Sequence, residues 1–106
     1  MESTSIRFAG AARELSRAAR LCGIDAPAFT SPPRLTGYSR TIRRRPNGVT
    51  VSIALRNRPW PAVLADMVDG VINANGLTGR EADQARNALW LSVVQPDAEI
   101  QISAAA

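Results

Sequence analysis

Three polar side chains on one predicted helix are the residues of this sequence best suited to hold a ligand. Asp66, Asp69 and Asn73 are spaced three and four residues apart, so on a helix they share one face. Carboxylate and amide oxygens in this arrangement could bind a hard cation such as magnesium. The same spacing is also typical of the solvated face of an amphipathic helix. We favour the solvated face, because solubility alone accounts for two carboxylates on the polar side of a helix.

Composition excludes several kinds of catalytic site. The chain has no histidine and a single cysteine, Cys22. It therefore lacks the means to build a nucleophile–histidine pair, a histidine zinc site or an intramolecular disulfide, and no glycine-rich phosphate loop occurs. Cys22 falls on the apolar face of a predicted helix, which favours a small core residue over a reactive thiol. We expect a protein without enzymatic activity, metal or cofactor.

Arginine placement indicates a second kind of candidate site. All thirteen basic residues are arginine, and eleven of them precede Pro59 together with three of the nine carboxylates. A basic half is typical of a phosphate-binding surface, although an ordinary solvated surface would also account for it. The absence of lysine and the abundance of alanine indicate a high-GC coding sequence. The candidate nucleic-acid contacts are Arg13, Arg17, Arg20, Arg40, Arg44 and Arg56.

These side chains are positioned by a predicted α+β domain spanning residues 1–106, in the order helix, strand, strand, helix, helix. Apolar spacing indicates a first helix over about 8–22, capped by Ser3 or Ser5 and ended by Gly23. A proline-rich connector without a strand follows over 25–37.

Two further helices are predicted over about 60–94. They form a helical hairpin, separated by Asn75-Gly76 and a capping box from Thr78 to Glu81. Beyond them lies a loose tail over 97–106, with a possible short third strand at 99–102. No apolar run is long enough to span a membrane, and no secretory signal is evident. We expect a soluble cytoplasmic domain.

Residues 38–56 predict an antiparallel β-hairpin packed on the helices and closed by Pro46-Asn47-Gly48. If Asn47-Gly48 forms a two-residue turn, Ile42 shares the apolar face of the second strand and Arg43 and Arg45 face solvent. If all three residues form a bulged loop, the first strand shifts by one, and Arg40, Arg44 and Arg56 face outwards. We expect the bulged register, because proline favours the first corner of a type I turn.

Two residues of the last predicted helix lie on unexpected faces. Arg86 falls on the apolar face, one turn from Trp90, whereas Leu91 falls among polar residues. Arg86 could stack on Trp90 or pair with a carboxylate within the fold; alternatively, Arg86 and Leu91 mark a contact with another protein. Trp60 and Trp90 themselves are expected to anchor the core.

Two functions remain compatible with the sequence. The first is a small interaction module or accessory subunit, acting as a homodimer or bound to a protein partner. It would use the C-terminal helical hairpin or the edge of the β-ribbon. The second is a nucleic-acid-binding protein whose first helix and hairpin contact phosphates through their arginines.

Overall fold

The fold consists of three helices and a three-stranded mixed sheet within residues 3–33 and 39–95, which a computed structural model describes. This arrangement confirms the predicted α+β class, with one strand more than expected. The proposed strand at 99–102 lies outside the described residues. Within the described ranges, no helix has both the length and the apolar character that a membrane span requires. The elements are α1 (Thr4–Leu21), β1 (Ala28–Thr30), β2 (Arg40–Arg45), β3 (Gly48–Ile53), α2 (Trp60–Ala74) and α3 (Gly79–Val94).

Local signals determine where the helices begin and end. The Ser3 hydroxyl accepts a hydrogen bond from the N–H of Ile6 at 3.2 Å, so α1 begins earlier than predicted. Gly23 and Gly76 have φ of 76° and 65° and end α1 and α2 in the left-handed conformation typical of Schellman motifs. α3 begins directly after Thr78, but the Thr78 side chain makes no capping hydrogen bond. The predicted capping box is wrong in this respect.

β1 is the element that the sequence did not reveal. It lies within the connector and pairs in parallel with β3, with Phe29 opposite Val51. The Phe29 ring meets Phe8 of α1 edge-on, with the ring centroids 6.5 Å apart. A strand of three residues between Pro27 and Pro32 is too short to show alternation. Its position therefore depends on contacts with β3 and α1, which are distant in sequence.

The loop of the β2–β3 hairpin is shorter than expected. Arg45 pairs with Gly48, so the loop consists of Pro46 and Asn47 and contains no bulge. Gly48 has φ of 141°, a conformation that glycine adopts at little cost. The glycine therefore allows β3 to begin immediately after the loop.

This register reverses the expected orientation of the hairpin arginines. Ile42 pairs with Val51, so Arg40 and Arg44 share the face of these two apolar residues. The expected outward orientation of Arg40 and Arg44 is therefore wrong. Proline is compatible with the first corner of either loop, and its presence did not distinguish the two registers.

The helices pack on the face of the sheet that carries Val51. α1 lies over β1, α2 lies over β3 and β2, and α3 packs against both other helices. We call the opposite side of the sheet the outer face; no described helix covers it. Its residues are Ala28, Thr30, Thr41, Arg43, Arg45, Thr50 and Ser52. The fully buried core side chains include Leu15, Val51, Ile53, Val63, Leu64, Met67, Val71, Ile72 and Leu89.

Candidate interaction surface

β2 is an edge strand, because the described sheet has the order β1-β3-β2. The hydrogen-bond pattern follows from one bond at its start: the N–H of Ala54 donates to the carbonyl of Ser39 at 2.9 Å. These two residues are partners in the extended register, and in an antiparallel pair the bonded partners alternate. Thr41, Arg43 and Arg45 therefore direct their N–H and C=O groups towards β3.

The backbone groups of the alternate residues point away from the sheet. We call the N–H and C=O groups of Arg40, Ile42 and Arg44 the free edge. Among the described residues, none donates to or accepts from these groups. Unpaired groups of this kind form a template for another strand.

The side chain of Arg44 connects β2 to α2. Its guanidinium donates to the carbonyls of Asn73 and Ala74, each at 3.0 Å. These carbonyls belong to the last turn of α2, where a cation interacts favourably with the helix dipole. Arg44 thus fixes β2 to the C-terminal end of α2 and is not available as an outward phosphate contact.

Arg40 is similarly committed to contacts within the fold. Its guanidinium lies 3.5 Å from the Asp66 carboxylate and 3.9 Å from Asp69. Arg58 pairs with the same Asp66 carboxylate at 2.5 Å and also donates to the carbonyl of Ala54 at 2.8 Å. These ion pairs join the start of β2, the end of β3 and the middle of α2.

The carboxylates considered as cation ligands are therefore contacted by guanidinium groups. Asp66 lies between Arg58 and Arg40, and Asp69 pairs with Arg86 at 3.0 Å. In residues 3–33 and 39–95, no group of three or more carboxylate, cysteine or histidine side chains is arranged to hold a metal ion. The arrangement supports a structural role for both aspartates.

Arg86 pairs within the fold, which was one of its two sequence interpretations. It donates to Asp69 and Asp83, both at 3.0 Å. The hydrogen bond to Asp69 raises the pKa of Arg86 above its already high value, and the guanidinium carries its charge at any physiological pH. Arg86 also lines an open cleft of about 380 Å³ between α2 and α3, beside the half-buried Trp90. Leu91 is half-buried and lies outside this cleft, so the two interface candidates do not line one pocket.

The arginines of α1 lie near the β1 edge of the sheet, whereas β2 forms the other edge. Arg13 and Arg20 are exposed, and Arg17 pairs with Glu14. α1 packs over β1, whereas β2 forms the opposite edge of the described sheet. The α1 and β2 members of the predicted nucleic-acid contacts therefore do not form one continuous surface.

Arg56 lines an open groove of about 1070 Å³ between the start of α1 and the ends of β1 and β3. Phe8, Phe29 and Leu55 supply apolar surface, and Thr4 supplies a hydroxyl. Of the described lining residues, Arg56 alone is ionisable. The described lining therefore contains no pair of groups suited to acid–base catalysis.

The outer face contains the cations of β2 that remain available. Arg43 and Arg45 are exposed, and no ion pair with another described residue involves them. They are two residues apart in one strand, so their Cα atoms are separated by about 7 Å. Within the described part of the chain, the outer face thus offers two guanidinium groups without an ion-pair partner, and the free edge offers the unpaired N–H and C=O groups of three residues.

The outward residues of this surface were not expected from the sequence, because Arg40 and Arg44 were predicted to lie on the face that Arg43 and Arg45 occupy. Arg43 and Arg45 appeared only in the register that we did not expect. The available signal was Ile42, the one apolar residue of β2: placing it on the core face puts Arg43 and Arg45 on the outer face.

Comparisons of the chain with protein-family models, with curated proteins and with solved structures give no match.

Proposed function

We propose that this protein is a small non-enzymatic interaction module that binds a protein partner through the free edge of β2. One observation carries the proposal: the outward edge of the six-residue strand β2 is unpaired among the described residues, and the side chains of Arg40 and Arg44 attach the strand to α2. A rigid strand loses little conformational entropy on pairing with a partner. Main-chain hydrogen bonds then provide the affinity, as in other cases of strand addition.

The α2–α3 hairpin is a weaker candidate for the same role. Its cleft contains Trp90, but Arg86 already pairs with Asp69 and Asp83. A partner bound there would have to displace these bonds or leave them unused. The free edge requires no such exchange.

Nucleic-acid binding is the alternative, and the distribution of arginines disfavours it. Duplex binders usually contact several phosphates along one surface. Arg13 and Arg20 belong to α1, which packs over the β1 edge of the sheet, whereas Arg43 and Arg45 belong to β2 at the other edge. Among the described residues, the outer face carries no aromatic side chain on which a base could stack.

Selection from a display library of random unstructured peptides tests the proposed function. The bound peptides are then assayed against two variants. Ile42→Pro removes an N–H group that points away from β3, so no hydrogen bond within the sheet is lost. Edge strands tolerate proline at such positions. Ile42→Ala removes a similar amount of side-chain packing and keeps the N–H, so it is the matched control.

We expect selected peptides to bind wild type and Ile42→Ala and to lose at least tenfold in affinity for Ile42→Pro. Peptides that bind all three proteins equally would contradict the proposal. A library that yields no binder, together with tight and salt-sensitive binding of mixed-sequence duplex DNA, would favour the nucleic-acid alternative.

A further inference from the structure

The chemistry of β2 restricts the kind of strand that can be added to it. Four of its six residues are arginine, and the side chains of these four have different environments. Arg40 and Arg44 are occupied by Asp66, Asp69 and the end of α2. Arg43 and Arg45 lie on the outer face and form no ion pair with any other described residue.

We propose that the free edge accepts an extended acidic segment of a partner protein, with a carboxylate at every second position. This inference rests on the proposed function and specifies the partner's chemistry. In an antiparallel addition, the residues opposite Arg43 and Arg45 occupy non-hydrogen-bonded pairs, in which side chains are closest. Carboxylates at these two positions would pair with both guanidinium groups at once.

The residue between the two carboxylates points to the other face of the extended sheet. There it lies opposite Arg44, and the next residue on that face, just beyond the carboxylate opposite Arg43, lies opposite Ile42, which is partly buried against the core. An apolar side chain beside Ile42 removes further apolar surface from water. The expected segment therefore alternates acidic and apolar residues.

A second copy of this chain is disfavoured as the occupant. Pairing β2 with β2 would place arginine near arginine in any register, because four of its six residues carry that charge. Like charges on directly opposed residues destabilise a strand pair. The net charge of +4 adds a general repulsion between copies.

Four peptides of known composition test this inference with the full chain. The first is an acetylated hexapeptide of alternating glutamate and valine. The second has the same composition, with the glutamates and valines in two blocks. The third alternates lysine and valine, and the fourth alternates serine and valine. Binding is measured by fluorescence anisotropy at low and at physiological salt.

We expect the alternating acidic peptide to bind at least tenfold more tightly than the other three. The affinity should decrease with salt, as is usual for exposed ion pairs. The double variant Arg43→Glu/Arg45→Glu should lose this binding at least tenfold and should instead bind the lysine peptide. Both residues are exposed, so the fold is not expected to change, and circular dichroism checks it.

The matched control reverses two charges elsewhere. Arg13→Glu/Arg20→Glu alters α1 by the same net charge, and we expect it to leave the affinity for the acidic peptide within twofold of wild type. Equal losses in both double variants would attribute binding to net charge alone and would overturn the inference. Equal binding of the blocked and alternating acidic peptides would also overturn it.

The inference and the proposed function fail in different ways. If peptides sensitive to Ile42→Pro prove to be neutral or basic, the edge is a binding site but its partner is not acidic. If the acidic peptide binds equally to wild type and to Ile42→Pro, strand addition itself is contradicted. A dimer in light scattering that dissociates in Ile42→Pro but not in Ile42→Ala would identify a second copy as the occupant and overturn the acidic-partner inference.

Discussion

Gly70 lies where α2 packs closely against the sheet. A Cβ atom added there would lie 2.6 Å from Cγ1 of Val51, which is fully buried in β3. Val51 is β-branched and has little rotamer freedom with which to move away. Glycine at this position allows the helix to approach the strand.

Gly70→Ala should therefore destabilise the protein although alanine is the better helix former. We expect a net loss of about 1–3 kcal/mol, the usual cost of overpacking a core, measured by urea unfolding. Gly10→Ala is the matched control, since a Cβ at Gly10 meets no atom within 4 Å. That variant should be stabilised by about 0.5–1 kcal/mol. Equal stability of the two variants would contradict the close packing of α2 on β3.

Cys22 offers a second test at the level of one residue. It is half-buried directly after α1, and burial raises the pKa of its thiol. A raised pKa reduces the thiolate fraction at neutral pH, and the thiolate is the reactive form. We expect maleimide to label Cys22 more slowly than free N-acetylcysteine at pH 7.

The labelling rate of Cys22 should rise as the pH approaches the raised pKa, and it should also rise on unfolding in urea. Labelling in the folded protein that is faster than in urea would show a reactive thiol instead. It would restore the interpretation that we rejected from the sequence.

At the scale of elements, the attachment of β2 to α2 decides the orientation of the proposed surface. Arg44 bonds to two carbonyls in the last turn of α2. Its neighbour Arg43 faces the opposite side and has no described ion-pair partner. The two arginines are adjacent in sequence, so they form a natural pair of variants.

Arg44→Gln should destabilise the protein by about 0.5–1 kcal/mol, because it removes a cation from a helix C-terminus. Arg43→Gln should change stability by less than about 0.5 kcal/mol, as is usual for exposed positions. Thermal unfolding at matched salt concentration measures both. The reverse order of effects would indicate that the other hairpin register is correct.

Elements whose limits depend on neighbouring residues were predicted well from the sequence. Gly23 and Gly76 end helices through local hydrogen bonds, and both ends were anticipated. β1 was missed because its pairing with β3 depends on residues about twenty positions away. The register of β2 was predicted wrongly because Arg40 and Arg44 are held by α2, a contact that local pattern does not encode.

The candidate surface was predictable only in part for the same reason. The edge of the ribbon was among the surfaces expected from the sequence. A contact of Arg86 within the fold was one of the two interpretations of that residue. Which arginines remain unpaired depends on which face of β2 meets α2. That choice follows from tertiary contacts.

At the scale of the whole molecule, the helices lie on one side of the sheet and leave the outer face uncovered by the described residues. The four arginines of β2 disfavour pairing of the edge with a second copy of the same strand. We therefore expect a monomer in light scattering at micromolar concentration. A stable dimer would require a different surface or an uncharged part of the edge.

We propose that β2 adds a strand from a partner, and amide hydrogen exchange tests this proposal most directly. In the free protein, NMR should show slow exchange for the amides of Thr41 and Arg43, which bond to β3, and fast exchange for Ile42 and Arg44. Addition of the alternating acidic peptide should slow Ile42 and Arg44 by at least tenfold, so that protection becomes continuous along the strand. Unchanged exchange at Ile42 and Arg44 with bound peptide, or new protection around Arg86 and Trp90 instead, would contradict the claim.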